Sequence, residues 1–443
     1  MRVLDLFCGM GGLSLGAALA LEGAEIHGVD IDGHAVETYN LNLSRLGCWA
    51  ERADLLAWEP GGEYDMVVGG PPCQAFSLAN TKNCGERHPL FPTFRRYFDL
   101  VRSLRPVAFV FENVRGLVSQ KFRHLLDYQF RALAEAYRIR YSVLNAVDYG
   151  VPQKRQRVIV AGIRRDVGVE PVLPQQTHAP HGAALLDSRV LHRWLTVREA
   201  IGDLLDAPPI IVHRGHSGGR KTSVAPPDGP SYTVGAMSGG GRGRNVMYLL
   251  TDHIMTEKGG STYGPWDWGC RMMRIDEPAN KITEKHRSGQ LVEVPLMPHQ
   301  EKHPPLDYDE PARAVQSHTA KTSRDLLLPL ELPATTVLGD PRASTHGHHY
   351  RRNQYYFRRL TVRECMRLQS FPDWWGWPEN ISTSKRYKLV GEAVPPILAY
   401  RLAVALGKAL GIPVKEPPRE EDWGLPYFRR AFADYFGGVG GDG

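Results

Sequence analysis

Short apolar runs and longer amphipathic stretches alternate along the first 163 residues. The apolar runs, which predict buried strands, are Arg2–Phe7, Ala24–Asp30, Tyr64–Val68, Val107–Phe111 and Val158–Gly162. Between them, residues 13–19 and 94–104 carry apolar side chains at helical spacing. Strands that alternate with helices predict an α/β fold built around a mainly parallel sheet. Because ligands bind such sheets at the carboxyl ends of the strands, the residues that follow each run are the candidate site.

A glycine-rich turn and two acids follow the first strands. Cys8-Gly-Met-Gly-Gly12 lies between a strand and a helix, so its backbone can approach a ligand closely while the helix amides face it. Asp30 ends the second run, at a position that commonly binds ribose hydroxyls. Asp54 ends a third short run and is placed to meet the polar edge of a base. The pattern would equally suit a nicotinamide or flavin enzyme, although GxGG without the full GxGxxG disfavours a dinucleotide.

The stretch Gly69–Ser77, GGPPCQAFS, presents a cysteine at the end of a predicted strand. Two glycines and two prolines force a rigid turn there, so Cys73 is held at the carboxyl end of the strand. A thiol in that place can act as a nucleophile if its pKa is lowered from about 8.5 or its thiolate is held. An isolated PPC equally predicts a tight turn with an incidental buried cysteine.

Further along the chain, a carboxyl group and two arginines are predicted at the same edge of the sheet. Glu112 follows a buried run, and a partly desolvated carboxyl group there could donate a proton near neutral pH. Taken alone, an acid in that place is more often a helix cap. Arg155 and Arg157 alternate ahead of the last run, which places two guanidiniums on one face, suited to a phosphate or a carbonyl oxygen. The alternative for such a basic run is a solvated edge.

These segments, taken in order, closely resemble the DNA cytosine-5 methyltransferases. The matching motifs are DLFCGMGG (5–12), GGPPCQAFS (69–77), ENV (112–114) and PQKRQRV (152–158). Two carboxyl-terminal signatures follow, RLTVRECMRLQSFP at 359–372 and GEAVPP at 391–396. The resemblance covers roughly residues 1–163 and 358–410. It implies a Rossmann-like class I methyltransferase domain that uses S-adenosylmethionine (AdoMet), together with a smaller, β- and loop-rich target-recognition domain.

The resemblance implies site-specific methylation of cytosine C5 in double-stranded DNA. Cys73 would attack C6 of a flipped-out cytosine, which makes C5 nucleophilic, and Glu112 would hold N3 and the 4-amino group and supply a proton. Arg157 would contact O2 of the base, and Arg155 would support the Cys73 loop. Extrusion of the base costs a few kcal/mol, offset by contacts to the flipped base. Gln74 and Ser77 are expected to contact DNA.

The resemblance also carries over a set of AdoMet contacts. These cofactor-binding residues are Phe7, Gly9, Met10, Gly12, Asp30, Ile31, Asp54, Leu55, Pro72, Leu90 and Val394. One position departs from the family pattern, because Glu392 stands where the last motif usually has asparagine. Its carboxylate could contact the methionine ammonium or turn to solvent.

The middle of the chain is expected to read the DNA sequence. We divide the chain into a catalytic domain (1–163), a target-recognition domain (164–358), carboxyl-terminal motifs that return to the catalytic domain (359–415) and a tail (416–443). A loose repeat of the form P-small-x-x-β-branched begins at Pro230, Pro278, Pro311 and Pro333, which predicts strands followed by loops that meet DNA. The expected DNA-binding residues of these loops are Arg242, Arg244, Arg287, Lys321 and Arg324. The alternative is ordinary solvated hairpin turns.

Composition adds limits to this interpretation. The net charge of +6 is compatible with a polyanionic partner but does not show one. Six cysteines without CxxC spacing argue against a zinc ribbon or a disulfide scaffold and fit a reducing cytosol. No metal is expected, since the only dense histidine cluster is His346-Gly-His-His349. The absence of a long apolar run predicts no membrane span, and the immediate entry into a strand predicts no signal peptide.

We therefore expect a cytoplasmic enzyme, associated with the nucleoid when bound to DNA. Its expected partners are double-stranded DNA and a candidate cognate restriction endonuclease, and a monomer is favoured. Two alternatives remain at this point. The same chemistry could act on tRNA, as in one branch of the family, although that branch has a much shorter middle segment. The chain could instead be a DNA-binding regulator without catalysis, which the presence of Cys73, Glu112, Arg155 and Arg157 disfavours.

Overall fold

The computed structural model divides the chain into two compact units. The first comprises Met1–Leu195 and Cys365–Gly443, and the second Thr196–Glu364. The residues that the structure describes are 1–76, 84–184, 190–204, 210–214, 222–225, 231–232, 247–251, 356–359 and 361–436. The predicted target-recognition segment begins at residue 164, whereas residues up to Leu195 belong to the first unit.

The first unit is built on a seven-stranded sheet. Its strands are β1 (Arg2–Leu6), β2 (Glu25–Asp30), β3 (Cys48–Arg52), β4 (Met66–Gly69), β5 (Ala108–Val114), β6 (Tyr137–Asn145) and β8 (Gln156–Arg164), and β7 (Gln153–Lys154) is a short strand between the last two. Their order across the sheet is β3-β2-β1-β4-β5-β8-β6, and β8 runs antiparallel to both of its neighbours. The remaining pairs are parallel. This is the mainly parallel sheet of a Rossmann-like α/β fold, so the predicted fold class is confirmed.

The helices of the described residues are α1 (Gly12–Ala20), α2 (Gly33–Leu43), α3 (Phe91–Leu104), α4 (Arg123–Leu133), α5 (Val197–Ile201), α6 (Val362–Leu368), α7 (Thr383–Glu392), α8 (Pro396–Ala409), α9 (Glu420–Trp423), α10 (Phe428–Ala431) and α11 (Ala433–Phe436). Of these, α5 belongs to the second unit. The α3 helix begins three residues before its predicted start, because Pro92 is tolerated in the first helical turn. Its buried face packs Phe94 and Phe98 on Phe111 of β5, with ring centroids 5.8 and 5.0 Å away. Tyr97 of the same helix lies against the end of β4, since a Cβ added at Gly69 would be 3.1 Å from its ring.

The carboxyl-terminal motifs return to the first unit through α8. That helix packs so closely on α1 that a Cβ added at Gly16 would lie 2.4 Å from the Cβ of Ala399. The chain then pairs back beside the end of α1, where the amide of Lys415 donates to the carbonyl of Ala20 at 2.7 Å. The predicted helix at 395–410 is therefore confirmed.

One stretch of the described residues, 383–409, has the length and apolar composition of a helix that could cross a membrane, with a mean hydropathy of 1.5. In the structure 89% of its most apolar window is buried, as in the core helix of a soluble protein. The stretch is also broken into α7 and α8, because Ala393 and Pro395 have extended backbones. Its apolar side chains therefore serve the core of the first unit.

The segment after α8 docks on that helix. Trp423, Tyr427 and Phe428 are buried, which confirms the predicted docked segment. Arg401 of α8 forms two hydrogen bonds of 2.6 Å to the carboxylate of Asp434, and this bidentate pair ties the final helix to the core. The glycine-rich end, 437–443, lies outside the described residues.

The described part of the second unit contains a four-stranded antiparallel sheet. Its strands, in spatial order, are β13 (Thr222–Ala225), β12 (Ile210–Arg214), β15 (Met247–Thr251) and β16 (Tyr356–Arg359). The first unit contributes β9 (His178–Ala179), β10 (Ala183–Ala184) and β11 (Val190–Arg193), which form a small sheet of their own, and β14 covers Ser231–Tyr232. The loops predicted to meet DNA, at 237–244, 284–288 and 317–324, lie outside the described residues.

Candidate active site

The Gly-Gly-Pro-Pro turn after β4 holds Cys73 at the carboxyl edge of the sheet. The chain continues from Cys73 as a short 3-10 turn to Phe76, whose ring packs on Phe94 with centroids 5.1 Å apart. On the other side, the side-chain amide of Asn113 donates to the carbonyl of Pro71 at 3.0 Å. The turn is thus fixed on both sides, and Cys73 remains partly exposed.

A nearly buried ion pair stands beside this turn. The Oε1 atom of Glu112 lies 2.8 Å from Nε of Arg157, and their side chains are only 10% and 13% exposed. The antiparallel pairing of β5 with β8 brings them together, since it sets Val114 opposite Arg157. A Cβ added at Gly70 would lie 2.8 Å from Oε2 of Glu112, so the carboxyl group reaches the Cys73 turn only because residue 70 is glycine.

The thiol of Cys73 is in electrostatic contact with all of these charges. Burial raises its pKa, and Glu112 and Glu392 raise it further, while Arg157 and Arg155 lower it by less. The net effect is a raised pKa for Cys73. The sequence analysis required a lowered pKa for a nucleophilic thiol, and the protein alone does not provide it. The reason is desolvation, which disfavours the thiolate more than two nearby guanidiniums favour it. These surroundings therefore favour the thiol of Cys73 over its thiolate.

Arg155 is buried and holds a distant part of the chain. Its Nη2 donates to the carbonyl oxygens of Gly391 and Ala393, at 3.1 and 3.0 Å. Burial lowers the pKa of this guanidinium, and the neighbouring Arg157 lowers it further. Arg155 thus fixes the carboxyl-terminal GEAVPP motif, a contact that the sequence did not predict for it.

A pair of buried amides reinforces the same junction. Nε2 of Gln153 donates to Oε1 of Gln369 at 2.6 Å and to the carbonyl of Leu368 at 3.0 Å. The amide of Gln369 in turn donates to the carbonyl of Ala393. Gln153 and Gln369 both lie in motifs that match the family, but the sequence analysis assigned a role to neither. Buried amides must find partners, but both motifs are rich in charged residues and nothing in them distinguishes a buried glutamine from a solvated one.

The predicted glycine turn after β1 contains three residues with positive φ angles. Phe7, Gly9 and Gly11 have φ angles of 60°, 54° and 95°. A non-glycine residue in that region is uncommon and clusters at functional sites. The amide of Gly9 donates to Oδ2 of Asp30 at 2.8 Å, which joins the turn to the end of β2.

The turn also lies directly against the last motif. A Cβ added at Gly12 would lie 2.1 Å from the carbonyl oxygen of Val394, so α1 and the GEAVPP motif touch backbone to backbone. Beneath the turn, the hydroxyl of Ser14 donates to the buried carboxylate of Asp5 at 2.6 Å. Burial raises the pKa of Asp5 to about 7. This Asp5–Ser14 bond, which fastens α1 to β1, was not identified from the sequence.

The residues around Asp30 fit a nucleoside. Its two oxygens accept from Gly9 and Asp32 and keep lone pairs for ribose hydroxyls, while burial raises its pKa. Ile31 beside it is 61% exposed, an apolar side chain left for a flat ring to cover. Asp54 is exposed and uses Oδ1 to accept from the amide of Leu56 at 3.0 Å, which leaves Oδ2 available.

The remaining predicted cofactor and DNA contacts differ in how exposed they are. The side chains of Met10, Leu55 and Val394 are buried, so a ligand would meet mainly their backbones. Pro72 and Leu90 are partly buried, and Gln74 is exposed beside Cys73. The predicted DNA contacts that lie outside the described residues are Ser77, Arg242, Arg244, Arg287, Lys321 and Arg324.

Comparison with known protein families identifies the family of this chain. The family model described as C-5 cytosine-specific DNA methylase matches residues 1–408. The chain belongs to the C-5 cytosine-specific DNA methylase family. It is therefore a DNA (cytosine-5-)-methyltransferase by family, and the resemblance of its motifs is confirmed.

Named relatives of this methyltransferase cover nearly its whole length. It is 28% identical over 428 residues to the type II methyltransferase M.MthTI of Methanothermobacter thermautotrophicus, covering 93% of this chain and 98% of the relative. It is 27% identical over 463 residues to M.AgeI of Thalassovita gelatinovora, covering 93% and 100%. Among solved structures, a putative DNA modification methyltransferase encoded within an E. coli prophage is similar with a TM-score of 0.48 at 22% identity, covering 93% and 99%.

In this methyltransferase the first unit therefore brings together two groups of predicted residues. Cys73, Glu112, Arg155 and Arg157 interact at the ends of β4, β5 and β8. The glycine turn, Asp30 and Val394 meet at the ends of β1 and β2. The charge of Glu392 raises the pKa of Cys73, a member of the first group.

Proposed function

We propose that this chain methylates C5 of a specific cytosine in double-stranded DNA, with AdoMet as methyl donor and Cys73 as covalent nucleophile. The observation that carries the proposal is the grouping of Cys73 with the nearly buried Glu112–Arg157 pair at one edge of the sheet. A thiol, a carboxyl group and a guanidinium are the groups needed to attack, protonate and hold a pyrimidine ring. Family membership supports the same chemistry.

The glycine turn and Asp30 would hold AdoMet. Backbone amides of the turn would face the amino acid part of the cofactor, Asp30 would accept from the ribose hydroxyls, and Ile31 would pack on the adenine. Asp54 has an oxygen available for the adenine amino group. When bound, this cofactor supplies a methyl group on a positively charged sulfur, which is the chemistry that C5 methylation requires.

Cys73 would begin the reaction by adding its sulfur to C6 of a cytosine flipped out of the duplex. The new S–C6 bond breaks the C5–C6 double bond and makes C5 nucleophilic, while Glu112 donates a proton to N3 and Arg157 holds O2. After C5 has gained the methyl group, a water molecule accepts its proton, and the electrons of that C–H bond re-form the C5–C6 double bond and expel the Cys73 sulfur as a thiolate. The thiolate then takes up a proton from water. Glu112 recovers its proton from N3, which closes the cycle.

The raised pKa of Cys73 determines when its proton leaves. Since burial favours the protonated thiol in the protein alone, we propose that the proton passes to water as the sulfur adds to C6. Arg155 and Arg157 favour the developing negative charge at that moment. A neutral thiol also avoids side reactions of a resident thiolate before DNA arrives.

Replacing Glu112 by glutamine is expected to lower the single-turnover rate of methyl transfer by about 10²- to 10³-fold. Glutamine keeps the size of the side chain but cannot supply the proton to N3. AdoMet affinity should stay close to wild type, because Glu112 is not among the cofactor contacts. The unfolding midpoint should fall, because Arg157 loses its nearly buried counter-charge. The matched control is Glu135→Gln, an exposed glutamate after α4. A rate within a few-fold of wild type would show that Glu112 is not the acid.

Recognition of the target site is assigned to residues 164–358, with the arginine and lysine loops at 237–244, 284–288 and 317–324 contacting guanine edges or phosphates. The relatives named type II methyltransferases support a cognate restriction endonuclease as a partner. Action on DNA supports a cytoplasmic location. These assignments rest on the sequence and the relatives.

The proposed function is tested by bisulfite sequencing of genomic DNA from a host that expresses the chain, beside the same host without it. We expect protected cytosines confined to one short motif, present only with the chain. Genomic DNA without new methylation, while purified chain methylates tRNA in the same assay buffer, would overturn DNA as the substrate. Protection spread over all cytosines would overturn site specificity.

A further inference from the structure

Arg96 of α3 holds the turn that carries Asp54. Its Nε donates to the carbonyl oxygen of Leu55 at 2.9 Å, and its Nη2 donates to the carbonyl oxygen of Trp58. A guanidinium presents its N–H groups in a rigid fork, so the two bonds together fix the turn relative to α3. The side chain of Arg96 is only 19% exposed, which shields these bonds from water.

The turn is also fastened within itself and to β3. The carbonyl oxygen of Asp54 accepts from the amides of Ala57 and Trp58, at 2.9 and 2.8 Å. On the other side, Nε1 of Trp58 donates to Oε1 of Glu51 in β3 at 2.8 Å. The amide of Leu56 donates to Oδ1 of Asp54 and so orients the carboxylate. The remaining oxygen of Asp54 therefore has a defined position.

The same helix supports the turn of the nucleophile. Phe94 packs on Phe76, three residues after the nucleophile, and a Cβ added at Gly69, before it, would lie 3.1 Å from the ring of Tyr97. Arg96 lies between Phe94 and Tyr97 in the sequence. One stretch of α3 thus positions both the carboxylate proposed to bind adenine and the thiol proposed to attack the base.

We infer that Arg96 is a positioning residue for base recognition in the cofactor site, which holds the Asp54 carboxylate where it accepts from the 6-amino group of adenine. The inference rests on the proposed function, because it takes AdoMet as the cofactor. A carboxylate fixed in that place also disfavours a purine with an oxygen at position 6, since two acceptors then face each other. Arg96 would therefore determine selectivity for adenine by acting through the turn.

The test measures binding of two ligands that differ in the purine. They are the reaction product S-adenosylhomocysteine (AdoHcy) and S-inosylhomocysteine, which carries an oxo group in place of the 6-amino group. Both are titrated calorimetrically into the wild-type chain, Arg96→Met and the control Arg95→Met. Arg95 is the preceding residue of α3, is 59% exposed and pairs with Glu86, so its replacement removes the same charge and leaves the turn intact.

We expect a loss that is confined to the adenine ligand. The wild-type chain and Arg95→Met should bind AdoHcy about tenfold more tightly than S-inosylhomocysteine. Arg96→Met should bind AdoHcy about tenfold more weakly than wild type and S-inosylhomocysteine within about twofold of wild type. A general loosening of the fold would weaken both ligands alike, so the ratio of the two affinities separates positioning of Asp54 from a merely structural role.

A double-mutant cycle tests whether Arg96 acts through Asp54. Asp54→Ala should show the same loss of preference for AdoHcy. Adding Arg96→Met to it should then weaken AdoHcy binding by less than about twofold more, because the carboxylate is already absent. A further loss as large as that of Arg96→Met alone would overturn action through Asp54.

The remaining outcomes also decide the matter. Equal weakening of both ligands in Arg96→Met, unchanged affinities in that variant, or equal binding of the two ligands by the wild-type chain would each overturn the inference. A wild-type chain that binds neither ligand would contradict the proposed cofactor as well, which distinguishes the two failures. Should Arg96→Met fail to fold, Arg96→Lys is titrated, because lysine keeps the charge but lacks the fork. An unchanged preference for AdoHcy in Arg96→Lys would then overturn the inference.

Discussion

Replacing Cys73 by alanine is expected to abolish methyl transfer to DNA, with a fall in rate of at least about 10³-fold. Without the sulfur no bond forms to C6, and C5 of cytosine is then too weak a nucleophile to accept a methyl group. The side chain of Cys73 is partly exposed and the turn around it is held by Phe76 and Asn113. The fold and AdoMet affinity should therefore survive the substitution.

The control for this experiment is Cys84→Ala. Cys84 is another partly buried cysteine, and its sulfur accepts from Nζ of Lys121 instead of facing Glu112 and Arg157. Steady-state methylation of a duplex substrate is measured for both variants, together with AdoMet binding and the thermal midpoint. Retained methylation by Cys73→Ala, or an equal loss of methylation in Cys84→Ala, would contradict the assignment of Cys73 as the nucleophile.

Replacing Gly12 by alanine is expected to damage the junction between α1 and the last motif. The new Cβ would lie 2.1 Å from the carbonyl oxygen of Val394, an atom of the backbone that cannot rotate away. Either α1 or the GEAVPP motif must shift, which should lower the free energy of unfolding by about 1–3 kcal/mol. Because the glycine turn moves with α1, AdoMet affinity should fall by about tenfold or more.

Gly61→Ala is the matched control, since an added Cβ at that position meets nothing within 4 Å. Urea unfolding and AdoMet titration of the two variants separate a local clash from a general cost of removing glycine. If Gly12→Ala behaves like Gly61→Ala in both measurements, the close contact with Val394 does not exist in solution.

Strands β1, β2, β4, β5 and β8 could be predicted because each contains a local run of apolar residues. Strand β6 is mostly exposed or half-buried and has no such run, so it was not predicted. The turn at Gly69–Pro72 could also be predicted from local sequence, since glycine permits tight turns and proline fixes φ wherever they occur. The positive φ of Phe7 does not follow from its own residue type, because the turn around it imposes that conformation. The start of α3 was predicted three residues too late, because the helix begins at Phe91 and includes Pro92 in its first turn.

The long-range partners could not be predicted from local patterns. Arg155 reaches carbonyls 236 and 238 residues away, and Gln153 pairs with an amide 216 residues away. The sequence places two arginines on one face but does not indicate which of them turns inward. The sign of the Cys73 pKa shift had the same origin, since it depends on how deeply the thiol is buried relative to its charges. Such balances are set by tertiary packing.

The most direct test of the central claim is to trap the bond between Cys73 and the base. Duplex DNA carrying 5-fluorocytosine at the target position is incubated with the chain and AdoMet. Fluorine at C5 cannot leave as the proton does, so the methylated base cannot expel the sulfur. We predict a protein–DNA complex that survives denaturation, with the base attached to the peptide containing Cys73. A chain that methylates ordinary cytosine yet forms no such complex, or forms it through another residue, would contradict the covalent mechanism.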